Sequence, residues 1–172
     1  MDEDQPQRIG KVMIITGWLL VLGMLTMLFN NMLEHQRNPN QTVKTNADSN
    51  GTQEVILQRN RSGHYIATGA LNNQAVNFLI DTGATWVSIP ERIANEINLV
   101  KGIEMEVSTA NGVIKAYATQ VNTVTLGTIK LHNVKASINP HASDDDILLG
   151  MSFLKELEII QRGDTLILRQ YR

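Results

Sequence analysis

The chain contains no cysteine. That excludes disulfides, thiol nucleophiles and cysteine metal sites, but it leaves the compartment open, because disulfide-free proteins occur everywhere. It also lacks an excess of either charge: 15 Lys and Arg stand against 17 Asp and Glu, a formal net charge of -2. No basic stripe marks a nucleic-acid binder, and no nucleic-acid partner is expected. Of the histidines, His64, His132 and His141 fall at no metal-ligand spacing, and His141 with the aspartates after it reads as a solvated loop. Neither a metal nor a cofactor is expected. The sequence shows no internal repeat and no second domain. Its 172 residues, 42% hydrophobic, suit one modest folded unit.

Charge is absent from one stretch in particular, Val12 to Phe29, which is dominated by Leu, Met, Val and Ile. About 18 helical residues at 1.5 Å rise reach roughly 27 Å, close to the hydrocarbon thickness of a bilayer, and Met32 and Leu33 extend the run. The stretch exceeds a signal-peptide core, and no small-x-small cleavage pattern follows it. Residues 12–33 are therefore expected to be a retained transmembrane anchor, preceded by a tail over 1–11. Arg8 and Lys11 before the span and Arg37 and Lys44 after it discriminate orientation poorly, though the short amino tail favours staying inside. Residues 34–53 are rich in Asn, Gln, Thr and Ser without apolar period. They predict a flexible tether with a reach of roughly 25 Å.

Beyond residue 53 the pattern is extended. His64–Leu71, Ala75–Ile80, Glu104–Ser108, Val113–Leu126, Ile129–Ile138, Glu158–Gln161 and Thr165–Arg169 predict strands, divided by turns at Asn72-Asn73, Leu126-Gly127 and Arg162-Gly163-Asp164. Helices are expected only over Glu91–Leu99 and Met151–Leu157. The expected fold is all-β, a small closed or crossed β domain with one or two short helices, preceded by a transmembrane helix.

Within it, Phe78-Leu79-Ile80 is an apolar run that reads as a buried strand and delivers Asp81 onto the turn Thr82-Gly83-Ala84. Burial of the strand on both faces would hold the backbone rigid up to Asp81. Gly83 opens backbone angles closed to other residues, and Thr82 adds a short hydroxyl. Such a loop aims a carboxylate, although Asp-Thr-Gly is also ordinary turn chemistry. Two further blocks set it apart. Ser108-Thr109-Ala110-Asn111-Gly112 carries Asn-Gly between extended segments, a strong hairpin signal, and Ile147-Leu148-Leu149-Gly150 is a second apolar run ending in glycine.

These three ordered blocks resemble the retropepsin-like aspartic proteases, specifically their membrane-anchored bacterial branch, over about Glu54 to Arg172. The resemblance implies a closed single-lobe acid-protease domain over 54–172. It also implies an aspartic endopeptidase acting on peptide or protein substrates, with Asp81 catalytic and Thr82, Gly83 and Ala84 shaping the active-site loop. Leu148, Leu149 and Gly150 would support that loop. The hairpin Met105–Tyr117, with Ala110, Asn111 and Gly112 at its tip, would be the flap over an extended substrate. Family catalysis uses two aspartates that share a proton and activate water. Only one Asp-Thr-Gly is present and no Asp-Ser-Gly, while Asp144, Asp145 and Asp146 lack the glycine geometry. The resemblance therefore implies a homodimer, required for activity, in which Asp81 meets its own copy. It further implies a single-pass inner-membrane protein with a periplasmic catalytic domain. Trp86 is expected to pack the core, and the final Leu166–Tyr171 strand is a candidate for pairing across the dimer. Two alternatives stay open: a catalytically silent module of the same fold that binds peptide equally well with Asp81→Asn, and a membrane-anchored β domain that only self-associates.

Overall fold

The computed structural model describes residues 5–47, 51–109 and 112–171. It divides into two units, Met1–Gln36 and Arg37–Arg172.

The first unit is the helix α1 (Gln5–Arg37). Its one proline, Pro6, falls in the first turn, where it interrupts no intrahelical bond, and the long apolar side chains from Val12 to Leu33 are exposed. The Thr16 and Thr26 hydroxyls donate to the carbonyls of Val12 and Leu22 at 2.9 and 2.8 Å, so both are satisfied within the helix. The helix is long and apolar enough to cross a membrane.

The second unit is mostly β. A four-stranded antiparallel sheet runs in the order β1 (Lys44–Ala47), β2 (Gln53–Gln58), β11 (Thr165–Gln170), β10 (Glu158–Arg162). A seven-stranded sheet runs β3 (Ile66–Leu71), β4 (Gln74–Ile80), β9 (Ile147–Leu149), β5 (Val87–Pro90), β8 (Ile129–Asn139), β7 (Gly112–Leu126), β6 (Glu104–Thr109), and a β3–β7 pairing curls it closed. Short helices α2 (Glu91–Glu96) and α3 (Met151–Leu154) follow β5 and β9. Most ladders are antiparallel. Asn72 and Asn73, with φ of 47° and 69°, make the tight turn between β3 and β4 that two-residue hairpins require. Two pairings are parallel, β4 with β9 and β5 with β8, and the antiparallel β9–β5 contact joins them in the middle of the sheet. Parallel strands need cover on both faces. Here the core supplies it, with Phe78, Val87, Ile89, Ala136, Ile138, Ile147, Leu149 and Phe153 all fully buried.

Several expectations are corrected. Segment 34–53, predicted as a flexible tether, carries structure: α1 continues to Arg37, Asn38 and Asn40 are buried, and β1 pairs with β2. The reason is that Asn40 acts as a surrogate peptide group. Its Nδ2 donates to the carbonyls of Gln58 at 2.9 Å and Ile66 at 2.7 Å, while its Oδ1 accepts from the Gln58 N–H at 2.7 Å. The compact unit accordingly begins at Arg37 and not at Glu54. The carboxy-terminal strand is not free to pair across a dimer either, since β11 is bonded to β2 on one edge and β10 on the other. Both helices are shorter than expected. Asn98, at φ 54°, ends the turn after α2, with the Leu99 N–H returning to the Ala94 carbonyl at 2.8 Å.

Candidate active site

Asp81 directly follows β4, the strand that pairs parallel with β9. β4 is anchored through Phe78, which is fully buried, while Leu79 and Ile80 are half-buried. Neighbouring backbone holds the strand to its last residue: the Ile80 N–H donates to the Tyr65 carbonyl at 3.0 Å and the Asp81 N–H to the Leu149 carbonyl at 3.2 Å. The Asp81 backbone is thus fixed before the chain turns. The turn closes with the Ala84 N–H on the Asp81 carbonyl at 3.3 Å and the Gly83 N–H on Asp81 Oδ1 at 2.8 Å. The second bond orients the carboxylate. No ion pair engages Asp81 among the described residues. Asp81 is half-buried, and Thr82 and Gly83 are exposed. The carboxylate therefore lies at the surface of a single chain.

The element after β9 clasps this loop from behind. Gly150 lies so close to it that a Cβ there would stand 2.3 Å from the Trp86 carbonyl oxygen and 2.6 Å from that of Ala84. The Met151 N–H donates to the Ala84 carbonyl at 2.7 Å and the Ser152 N–H to the Thr85 carbonyl at 2.9 Å, so the first turn of α3 spends its free donors on the Asp81 loop. Leu149 contributes its carbonyl and a fully buried side chain, and Leu148 pairs with both Leu79 and Ser88. The structure thus brings Asp81, Thr82, Gly83 and Ala84 together with Leu148, Leu149 and Gly150.

Ser152 is a positioning residue that the motifs did not flag. Its hydroxyl donates to the Lys135 carbonyl at 2.7 Å and accepts from the Val87 N–H at 3.0 Å, tying α3 to β5 and β8. A serine in the first turn of a short helix gives no sequence signal by itself, since its partners are 17 and 65 residues away. Trp86 is half-buried and contributes chiefly its carbonyl against Gly150.

The hairpin expected over Met105–Tyr117 is formed by β6 and β7, with Ser108 opposite Val113 and Thr109 opposite Gly112. Gly112 has φ +114°, and the Thr109 hydroxyl donates to its carbonyl at 2.7 Å. The tip residues Ala110 and Asn111 lie outside the described residues. Val113, beside the tip, is 65% exposed.

The aspartates near His141 are engaged elsewhere. Asp145 pairs with Arg92 at 2.5 Å and Asp146 with Arg37 at 2.9 Å, which makes them struts of the fold. Among the described residues no group of three or more His, Asp or Glu side chains is arranged to hold a metal ion.

Residues 67–156, which include the Asp81 loop, the β6–β7 hairpin and the Gly150 clasp, match the family model described as gag-polyprotein putative aspartyl protease. Among curated relatives, an uncharacterized protein encoded in the cobV 5′ region of Sinorhizobium sp. is 36% identical over 126 residues, covering 71% of this chain and 54% of that one. An uncharacterized protein of Rickettsia prowazekii is 29% identical over 122 residues, covering 69% and 52%. The chain thus spans about half the length of these relatives. Among solved structures, a retropepsin-like aspartic protease from Rickettsia conorii superposes with a TM-score of 0.59 at 29% identity, over 75% of this chain and 96% of that one.

Proposed function

Because this chain belongs to that aspartyl protease family and has a retropepsin-like fold, we propose that it is a membrane-anchored aspartic endopeptidase whose active site takes one Asp81 from each of two copies. The observation that carries this reading is the clasped loop itself. It holds a half-exposed carboxylate rigidly, with no cation paired to it among the described residues, and the sequence supplies only one such Asp-Thr-Gly loop.

Two such carboxylates brought face to face cannot both ionise, so the pair shares a proton. The ionised member takes a proton from water as general base, and the protonated member donates to the scissile carbonyl as the tetrahedral centre forms. The roles reverse when the amine leaves. Water is the nucleophile, so no acyl-enzyme forms. The pair titrates as a unit, and its apparent pKa values belong to the dimer. The Gly83 N–H on Oδ1 holds each carboxylate in place through both steps. Thr82, exposed on the same loop, braces the two loops against each other, and Gly83 and Ala84 form the floor.

The β6–β7 hairpin is assigned as the flap, with Ala110, Asn111 and Gly112 over the substrate and the exposed Val113 available to cover it. An extended peptide beneath it would be gripped through main-chain hydrogen bonds and selected through alternating side-chain pockets. α1 is assigned as a single-pass anchor in the inner membrane, with the compact unit on the periplasmic side. Its length and apolar exposure support the anchor.

The test incubates the full chain in detergent micelles with a diverse peptide pool from acidic to neutral pH, beside Asp81→Asn, and sizes both by sedimentation. Cleavage by the parent alone, with both proteins dimeric, is the expected result. Identical peptide traces would overturn the enzyme reading.

A further inference from the structure

The four-stranded sheet has two open edges, and they differ. β1 is short, polar and fully exposed, its residues Lys44, Thr45, Asn46 and Ala47 offering no self-complementary pattern. β10 reads Glu158-Ile159-Ile160-Gln161-Arg162, with no proline, glycine, lysine or bulge to discourage another strand from adding to it. One edge is bonded to β11 throughout, and the other meets no strand among the described residues. β10 also follows directly on α3, whose first turn is bonded to the Asp81 loop.

We infer that β10 is the strand through which two copies of this chain join, pairing antiparallel with its own copy about a two-fold axis at Ile160. The inference rests on the reading that the active site takes Asp81 from each of two copies.

The register follows from the strand. A two-fold axis perpendicular to a sheet keeps each residue on its own face, so partners must be an even number of residues apart along β10. Centring on Ile159 or on Gln161 would leave part of the strand unpaired. Centring on Ile160 uses all five residues and sets Glu158 opposite the partner's Arg162 twice, with Ile159 opposite the partner's Gln161. The charges are available for this. Arg162 is exposed and has no ion-pair partner among the described residues. Within its own chain Glu158 accepts from Arg169 at 2.9 Å and from the Tyr171 hydroxyl at 2.7 Å, both through Oε2. Oε1 is left for the newcomer.

The apolar side chains agree. Ile56, Ile167 and Ile160 lie in one cross-strand row on one face of the sheet, and all three are half-buried. Pairing at Ile160 would bring that row end to end with its copy. Cross-strand aliphatic and opposite-charge pairs are the units that stabilise such a junction. The same pairing would leave β11, already bonded on both sides, as an interior strand of the joint sheet.

The absence of native cysteine makes the test direct. Ile160→Cys and, on the opposite edge, Lys44→Cys are prepared as full chains in detergent micelles, exposed to a mild oxidant and run on a non-reducing gel beside a sedimentation measurement. Residues opposite one another across an antiparallel ladder have Cα atoms about 4.5–5.5 Å apart, within disulfide reach. The expected result is a reductant-sensitive dimer band for Ile160→Cys and none for Lys44→Cys. Arg162→Glu should raise the dimer dissociation constant at least about tenfold, because two like-charge contacts replace two favourable ones. A sample that sediments as a dimer and cleaves peptide, yet does not cross-link at residue 160, overturns the β10 junction and leaves the two-copy active site standing. Cross-linking at residue 160 without cleavage supports the junction and overturns the enzyme reading. An active monomer overturns both.

Discussion

Gly150→Ala separates a structural glycine from a merely small one. Gly150 has φ -87° and ψ -174°, angles open to any residue, so backbone strain does not enter. The cost is contact. The new Cβ would stand 2.3 Å from the Trp86 carbonyl oxygen, 2.6 Å from that of Ala84 and 2.8 Å from the Trp86 carbonyl carbon, all backbone atoms that no rotamer change can move away. Restoring ordinary separations requires the Asp81 loop and the start of α3 to part by about 1 Å, a small-to-large strain of roughly 1–3 kcal/mol. For a unit of this size that is a Tm lower by roughly 3–15 °C. In the proposed two-copy site the same shift would displace Asp81 relative to its copy, and a misplacement of about 1 Å costs on the order of 100-fold in rate. Thermal unfolding followed by circular dichroism and kcat/KM on a cleaved peptide read the two effects separately. Gly17→Ala, where a Cβ meets nothing within 4 Å, is the control and should leave both unchanged. A Gly150→Ala protein with the parent's Tm and kcat/KM would refute the clasp.

Asn40→Ala removes three hydrogen bonds to strand backbone and should lower stability by about 2–4 kcal/mol in a chemical denaturation series; an unchanged midpoint would return this segment to the role of a passive tether. Ser152→Ala leaves the Val87 N–H and the Lys135 carbonyl without the hydroxyl between them, a loss of about 1–3 kcal/mol that Ser152→Thr should partly recover. The Tyr171 hydroxyl, and then Arg169, which also pairs with Glu54, hold the Glu158 carboxyl below the ordinary glutamate range. A carboxyl depressed in the folded protein contributes stability above its unfolded pKa and loses it as pH falls through the folded one. Its contribution should therefore persist through mildly acidic pH and fade only below the usual glutamate range. Thermal scans across that range should show a smaller acid loss in Glu158→Gln than in the parent, and an equal loss in both would contradict the assignment.

What the sequence made legible was local in origin. The Asp81 loop, the β6–β7 hairpin and the Leu149-Gly150 run each carry their signal within a few residues: an apolar strand, a turn dipeptide, a glycine after buried aliphatics. The hairpin turns followed for the same reason, since Asn72-Asn73 and Gly163 state their backbone angles through residue type. What stayed hidden depended on distant partners. Asn40 looked like solvated polar chain because its three bonds go to residues 18 and 26 positions away. β1, β2, β5 and β9 are short strands whose membership is decided by sheet neighbours, and length gives them no periodicity to read. The occupancy of both edges of β11 by β2 and β10 is topology, invisible to a pattern along one strand. The parallel pairing of β4 with β9, which holds the backbone at Asp81 through the Leu149 carbonyl, is likewise a long-range fact that three short motifs only hint at.

In the proposed enzyme each active site needs Asp81 from two chains. Parent and Asp81→Asn proteins, mixed at equal amounts and allowed to exchange subunits at a concentration where both are dimeric, test it through peptide cleavage at fixed total chain. If each site takes one Asp81 from each copy, only parent homodimers cleave and the mixture retains about one quarter of the parent's activity. Retention of about one half would mean that each chain acts with its own carboxylate, and would contradict the account.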